Sequence, residues 1–210
     1  MSRFVGRENV RKRLAELQGE LGRTVYAGGE ARIEHDAGRL IVRPAFGITH
    51  EAEYEGVRLE PLLEALAEDH VVGAVLVRLG GYAVGVFEGN RLVASKVGSR
   101  FVKGRHKKGG RSANRFRRRR EEQERELINE AAGVAAAVLE PWRERIEFVA
   151  LGGHRPAVDE TLAASPQLGW IAERALPRFF TVAEPRQRVL ERLPYDLYSA
   201  ELVDDETDDD

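Results

Sequence analysis

The 210-residue chain has no cysteine, which excludes disulfides, thiol nucleophiles and cysteine-ligated metal sites. No apolar run approaches the roughly 18 residues of a membrane span. The opening MSRFVGRENVRKRL is charged from its third residue, unlike a secretion signal. We therefore expect a soluble, cytoplasmic protein with no membrane partner. Its histidines, His35, His50, His70, His106 and His154, never fall at metal-ligand spacing. None of Ser95, Ser99 and Ser112 sits in a Gly-x-Ser-x-Gly elbow. Neither a zinc hydrolase nor a serine hydrolase is indicated, and we expect no metal and no cofactor. Apolar residues make up 42% of the chain, ample for a packed core.

One stretch lacks negative charge altogether. Residues 100–120 contain Arg100, Lys103, Arg105, Lys107, Lys108, Arg111, Arg115, Arg117, Arg118, Arg119 and Arg120, with His106 and no Asp or Glu. The chain totals −2, so everything outside this stretch sums to −13. A cationic island sits on an acidic body, and the overall balance hides it.

Within the island, Gly104, Gly109 and Gly110, with Ser112 nearby, predict a loop over 104–112. Strong helix formers follow from 113 until Pro141, predicting a helix of about 28 residues, roughly 40 Å. Its second half carries an apolar stripe of Leu127, Ala131, Val134 and Val138, flanked by Ile128, Ala135 and Leu139. Its first half carries none. At about 100° per residue, Arg115 and Arg117 to Arg120 point all round the circumference. Such a segment cannot lie flat on a core and is expected to project, with the glycine loop at its tip. Cations at a helix N-terminus also oppose the macrodipole, by a few tenths to about 1 kcal/mol each. Glu121, Glu122 and Glu124 can pair back to Arg117, Arg118 and Arg120, in the weaker orientation. A plain solvated helix face is the usual meaning of a charge run. A leading glycine loop with only positive charge points instead to a polyanion.

Around the island the chain reads as α/β. A helix is expected over 8–21, then strands over 24–27, 31–35 and 39–46 joined by Gly28-Gly29 and Asp36-Ala37-Gly38 turns. This is a small N-terminal α+β annex, 1–56, in which His35 and His50 read as surface residues. A polar stretch at 48–56 marks the boundary. A helix over 59–68 leads to a three-strand meander at 71–79, 82–88 and 91–97, whose last strand enters the cationic loop. After the long helix come a strand at 146–153, a helix over 157–163, short elements at 171–176 and 179–182, a helix over 186–192 and a strand over 195–203. The second domain is set at 57–203, a mixed sheet with flanking helices. The acidic tail 204–210 is expected to be disordered.

Meander, long helix and fourth strand in that order also describe ribonuclease H folds. A metal nuclease needs clustered carboxylates, and the strand 71–79 has none. Gly152-Gly153-His154-Arg155 reads as a plain strand-to-helix turn, although a helix N-terminus there is also where phosphate would sit.

The segment LVRLGGYAVGVFEGNRLVASKVGSRFVKGRHKKGGRSANRFRRRREEQ, with the later FVALGGHRPAVDETL, resembles the Vms-like release factor family in its actinobacterial type. It is more distantly similar to the catalytic middle domain of the class-I release factors of archaea and eukaryotes. The resemblance spans about 57–203 and rests on Arg-Phe-Val-x-Gly, Gly-Gly-x-Ser and Arg-Phe-x-Arg-Arg-Arg. It implies a ribonuclease H-like domain that inserts a glycine loop into the peptidyl transferase centre of the large ribosomal subunit. There it would hydrolyse the ester joining a stalled nascent chain to tRNA. The implied partners are the large subunit, its rRNA and peptidyl-tRNA, with no DNA. The implied catalytic apex is Gly109, Gly110, Ser112, Ala113 and Asn114. The chain departs from relatives in the loop itself: theirs carries a glutamine, and here that place falls on Ala113 or Asn114. Lys103 likewise stands where a glutamine is expected. Asn114 offers the same amide donors and acceptor on a shorter stem. Two readings stay open, a peptidyl-tRNA hydrolase and a non-catalytic ribosome or structured-RNA binder. A third is a module docking on an acidic protein.

Overall fold

The computed structural model describes residues 2–99 and 111–205, with backbone alone at 111–116 and 205. In chain order the elements are β1 (Ser2–Gly6), α1 (Arg7–Glu16), β2 (Gly22–Ala27), β3 (Glu30–His35), β4 (Gly38–Arg43), β5 (Ala52–Glu55), α2 (Glu60–Ala67), β6 (Val71–Arg78), β7 (Gly81–Glu88) and β8 (Arg91–Ser99). After these come α3 (Arg111–Leu139), β9 (Phe148–Gly153), α4 (Arg155–Ala163), α5 (Ile171–Arg174), β10 (Ala175–Phe180), α6 (Gln187–Leu197) and β11 (Ser199–Asp205). The chain divides into two compact units, 1–69 with 195–210, and 70–194.

The first unit is a sheet in the order β1-β11-β4-β3-β2-β5, every pair antiparallel. Val10, Leu14 and Leu17 of α1 and its flank meet Leu59, Leu62 and Leu66 of α2 and the inward side chains Tyr26, Ile33, Leu40, Val42 and Leu202. Burial pushes the Tyr26 phenol up to about 12, its hydroxyl donating to the Arg58 carbonyl at 2.6 Å.

This division differs from the expected one. The helix read at 59–68 belongs with the first unit because its leucines face α1. The terminal strand returns there too, pairing β1 at Ser2↔Val203 and β4 at Glu201↔Arg43. Asp204 and Asp205 of the expected disordered tail close β11. His35 and His50 are not the surface residues expected. The His35 side chain is 7% exposed beside Glu20 at 3.3 Å, and His50 Nε2 lies 2.8 Å from the Tyr54 hydroxyl.

The second unit is a five-stranded mixed sheet in the order β10-β9-β6-β7-β8. The meander β6 to β8 is antiparallel throughout, and β9 and β10 extend it parallel to β6. One face buries Val75, Val77, Tyr82, Val84 and Val86 under Leu127, Ala131, Ala135 and Leu139 of α3 and Ala157 and Val158 of α4. Small residues on α3 let the helix approach closely. Gly73 lies directly beneath it, where a Cβ would stand 3.3 Å from Leu139 Cδ2.

Candidate nucleic-acid interface

Among the described residues, the long helix packs on the sheet through its C-terminal half. Leu127 is its first fully buried side chain among those described, and Leu139 packs over Gly73 near the start of β6. Between them, the Tyr82 hydroxyl donates to the Glu130 carboxylate at 2.9 Å. Tyr82 pairs with Gly98 in the β7–β8 ladder and with Val77 in the β6–β7 ladder, so Glu130 stands above the end of the sheet where β8 finishes. At 1.5 Å per residue, the stretch 111–126 carries α3 about 24 Å past Leu127.

Gly98 makes this joint possible. A Cβ there would lie 2.3 Å from Tyr82 Cζ, so only glycine lets the ring lie flat across the end of β8. Tyr82 thus spans the strand that leads into the cationic stretch and the helix that leads out of it.

On the overhang, Arg117, Arg118 and Arg119 are exposed and Arg120 is half-buried. Arg120 pairs with Glu124 at 2.7 Å and Arg117 loosely with Glu121 at 3.7 Å. Arg118 and Arg119 have no carboxylate within ion-pair reach among the described residues. The first turn of α3 contains no acid, so nothing there offsets the helix dipole against its own cations.

The helix begins earlier than its composition suggests. Arg111 and Ser112, expected in the loop, already have helical backbone, so Ser112, Ala113 and Asn114 of the implied apex lie together in the first turns of α3. Ser112 and Asn114 disfavour helix interiors but are well suited to helix starts, where the first four N–H groups lack intrahelical partners. Arg100, Lys103, Arg105, Lys107, Lys108, Gly109 and Gly110 lie outside the described residues.

Among the described residues no three His, Asp or Glu side chains come together as a metal would require. Gly153, at φ 105°, turns β9 into α4 with its Cβ position 2.2 Å from the Val77 carbonyl oxygen, which explains the glycine without invoking a ligand. No helix is long and apolar enough to cross a membrane.

An α/β domain carrying a cantilevered basic helix after a meander is what the sequence motifs associate with release factors, and similarity to known proteins bears on this directly. Residues 70–203, more than half of the chain, match the family described as Actinobacteria/chloroflexi VLRF1 release factor, and the chain belongs to that family. It is 29% identical over 102 residues to peptide chain release factor subunit 1 of Archaeoglobus fulgidus, covering 49% of this chain. That match spans only 25% of the relative's length. Among solved structures it is similar to the archaeal translation termination factor aRF1, with a TM-score of 0.46, 14% identity and coverage of 92% of this chain and 73% of that one. A further archaeal protein of solved structure gives a TM-score of 0.41 at 14% identity, covering 91% of this chain and 70% of that one.

Proposed function

We propose that the protein binds the large ribosomal subunit and hydrolyses the ester linking a stalled nascent chain to tRNA, as part of ribosome quality control. The observation that carries this reading is the overhanging start of α3. It presents Arg117, Arg118 and Arg119 to solvent with no apolar face to bury, on a member of a release factor family. Phosphate contacts from such a rod track rRNA and the tRNA acceptor end without reading sequence. Gly109 and Gly110 precede it in the sequence and bring no side chain of their own to exclude the backbone from an RNA pocket. The strand order, with the meander as strands three, two and one followed by four and five, supports the ribonuclease H-like description.

In this reading the Asn114 side-chain amide orients the attacking water in place of the missing glutamine. Misplacement by about 1 Å costs on the order of 100-fold in rate, so slow release is expected. The test is incubation of stalled large subunits carrying peptidyl-tRNA with the protein. Release of free peptide is expected, and Asn114→Ala should abolish it. Binding without release would favour the second reading, a ribosome or structured-RNA binder that has lost the chemistry. The absence of any glutamine in the island is the observation behind that reading. Ala113→Gln should then restore some release.

A further inference from the structure

A second group of cations stands on the same end of the sheet as the root of α3. In the ladders Arg78 pairs with Gly81 and Gly81 with Ser99, the last described residue before the cationic stretch. Val77 pairs with Gly153, which places His154 and Arg155 just beyond Arg78 on the other side. At about 4.8 Å between neighbouring strands, Arg78 lies about 10 Å from Ser99 and His154 about 5 Å further. Arg78, His154 and Arg155 are all exposed.

These two arginines are treated differently from most in the protein. Arg23 is matched to Glu53, Arg32 and Arg43 to Glu30, and Arg145 to Glu88. Arg78 instead donates to the Val182 carbonyl at 3.1 Å, and Arg155 lies over the Phe179 ring at 4.2 Å. Neither has a carboxylate within 4 Å among the described residues, although Asp159 sits one turn along α4 from Arg155. The neighbouring Arg186 is neutralised by Glu184 at 2.7 Å. A carbonyl and an aromatic face orient a guanidinium while leaving its charge uncompensated. Fixed, unpaired cations in a row suit a repeating anion better than a single one. A nucleic-acid strand carries one charge per about 3.4 Å of axis, so the roughly 15 Å between Ser99 and His154 spans about four phosphates.

We propose that Arg78 and Arg155, with His154 between them, form a second contact for the phosphate backbone of the RNA that α3 meets, at the end of the sheet where β6 and β9 finish. This rests on the RNA-binding reading above and adds a surface to it. The experiment measures affinity for purified large ribosomal subunits between 50 and 200 mM salt. Comparison is among wild type, Arg78→Gln/Arg155→Gln, Arg117→Gln/Arg118→Gln/Arg119→Gln, and a charge-matched control, Arg188→Gln/Arg192→Gln on α6. Two lost phosphate contacts should make the salt slope shallower by about 1.4–1.8, so that salt sensitivity over this range shrinks roughly 7- to 12-fold. Arg78→Lys/Arg155→Lys should restore the slope, which a purely structural role would not allow because the stacking and the directed hydrogen bond depend on guanidinium. An unchanged slope, an affinity loss without slope change, or an equal effect from the control overturns the proposal. If the α3 variant loses slope while the Arg78/Arg155 variant does not, the RNA-binding reading stands and this surface is wrong. If wild type shows no salt-dependent binding, both fail.

Discussion

Gly98→Ala should loosen the root of the overhanging helix, and its cost can be worked from the geometry. The added methyl would stand 2.3 Å from both Cζ and Oη of Tyr82, and 2.6 Å from Cε1. Tyr82 is 2% exposed, so the ring has no open space to enter. Forcing a carbon into such a site costs about 1–3 kcal/mol. A retreating ring also withdraws its hydroxyl from Glu130, about 0.5–1.5 kcal/mol more. Alanine's lower unfolded-state entropy offsets roughly 0.5–1 kcal/mol. The net loss is about 0.5–4 kcal/mol. Both tryptophans, Trp142 and Trp170, lie in the unit 70–194, so urea unfolding followed by tryptophan fluorescence reports on it. With m near 2 kcal/mol/M, the midpoint should fall by about 0.3–2 M. In a Tyr82→Ala background the methyl has nothing to meet, and the penalty should disappear. An equal loss in both backgrounds would refute the role given to this pair.

Three further outcomes follow from the same geometry. Burial pulls the Glu147 carboxyl up, but hydrogen bonds from the His70 ring and the Val71 N–H outweigh it and hold the group below its usual range. A depressed folded value gives stability that is present above the unfolded value, about 4.3, and is lost as pH falls through the folded one. Fluorescence melts should therefore show Glu147→Gln losing less stability than wild type as pH falls below about 4.3. Leu139→Ala, opening a cavity over Gly73, should cost about 2–5 kcal/mol in urea unfolding, and a loss below about 1 kcal/mol would contradict the packing described. Arg117→Gln/Arg118→Gln/Arg119→Gln should make the salt slope of ribosomal-subunit binding shallower by about 2.1–2.7, with little effect on the urea midpoint.

The second unit was legible from local pattern because its elements are local. VVGAVLVR and YAVGVFE are nearly continuous apolar runs closed by glycine turns, and α3 follows from composition alone. What local pattern could not supply was long-range pairing. β1, SRFVG, is five residues long and is a strand only because β11 lies beside it. β5, AEYE, is polar and pairs at the sheet edge with β2. α6 runs on to Leu197, through Pro194 and into the stretch expected as strand. Leu190, Leu193 and Leu197 fall at three- and four-residue spacing and are all buried, which was the signal for a continuing helix. At the candidate interface, the projecting arginines were visible as a run without an apolar stripe. The placement of Arg111 and Ser112 on the helix was not, since serine serves loops and helix starts alike. Arg78 and Arg155 could not have been joined from sequence, because only the sheet order brings residues 78 and 155 to one edge.

The central claim is that the start of α3 is built to enter ribosomal RNA. A reconstruction of the protein bound to stalled large subunits tests it most directly. The predicted result is density for the first turn of α3 at the peptidyl transferase centre, with Arg117, Arg118 and Arg119 against phosphates. A bound protein whose α3 arginines face solvent or ribosomal protein, with the helix start away from the tRNA acceptor end, would contradict it.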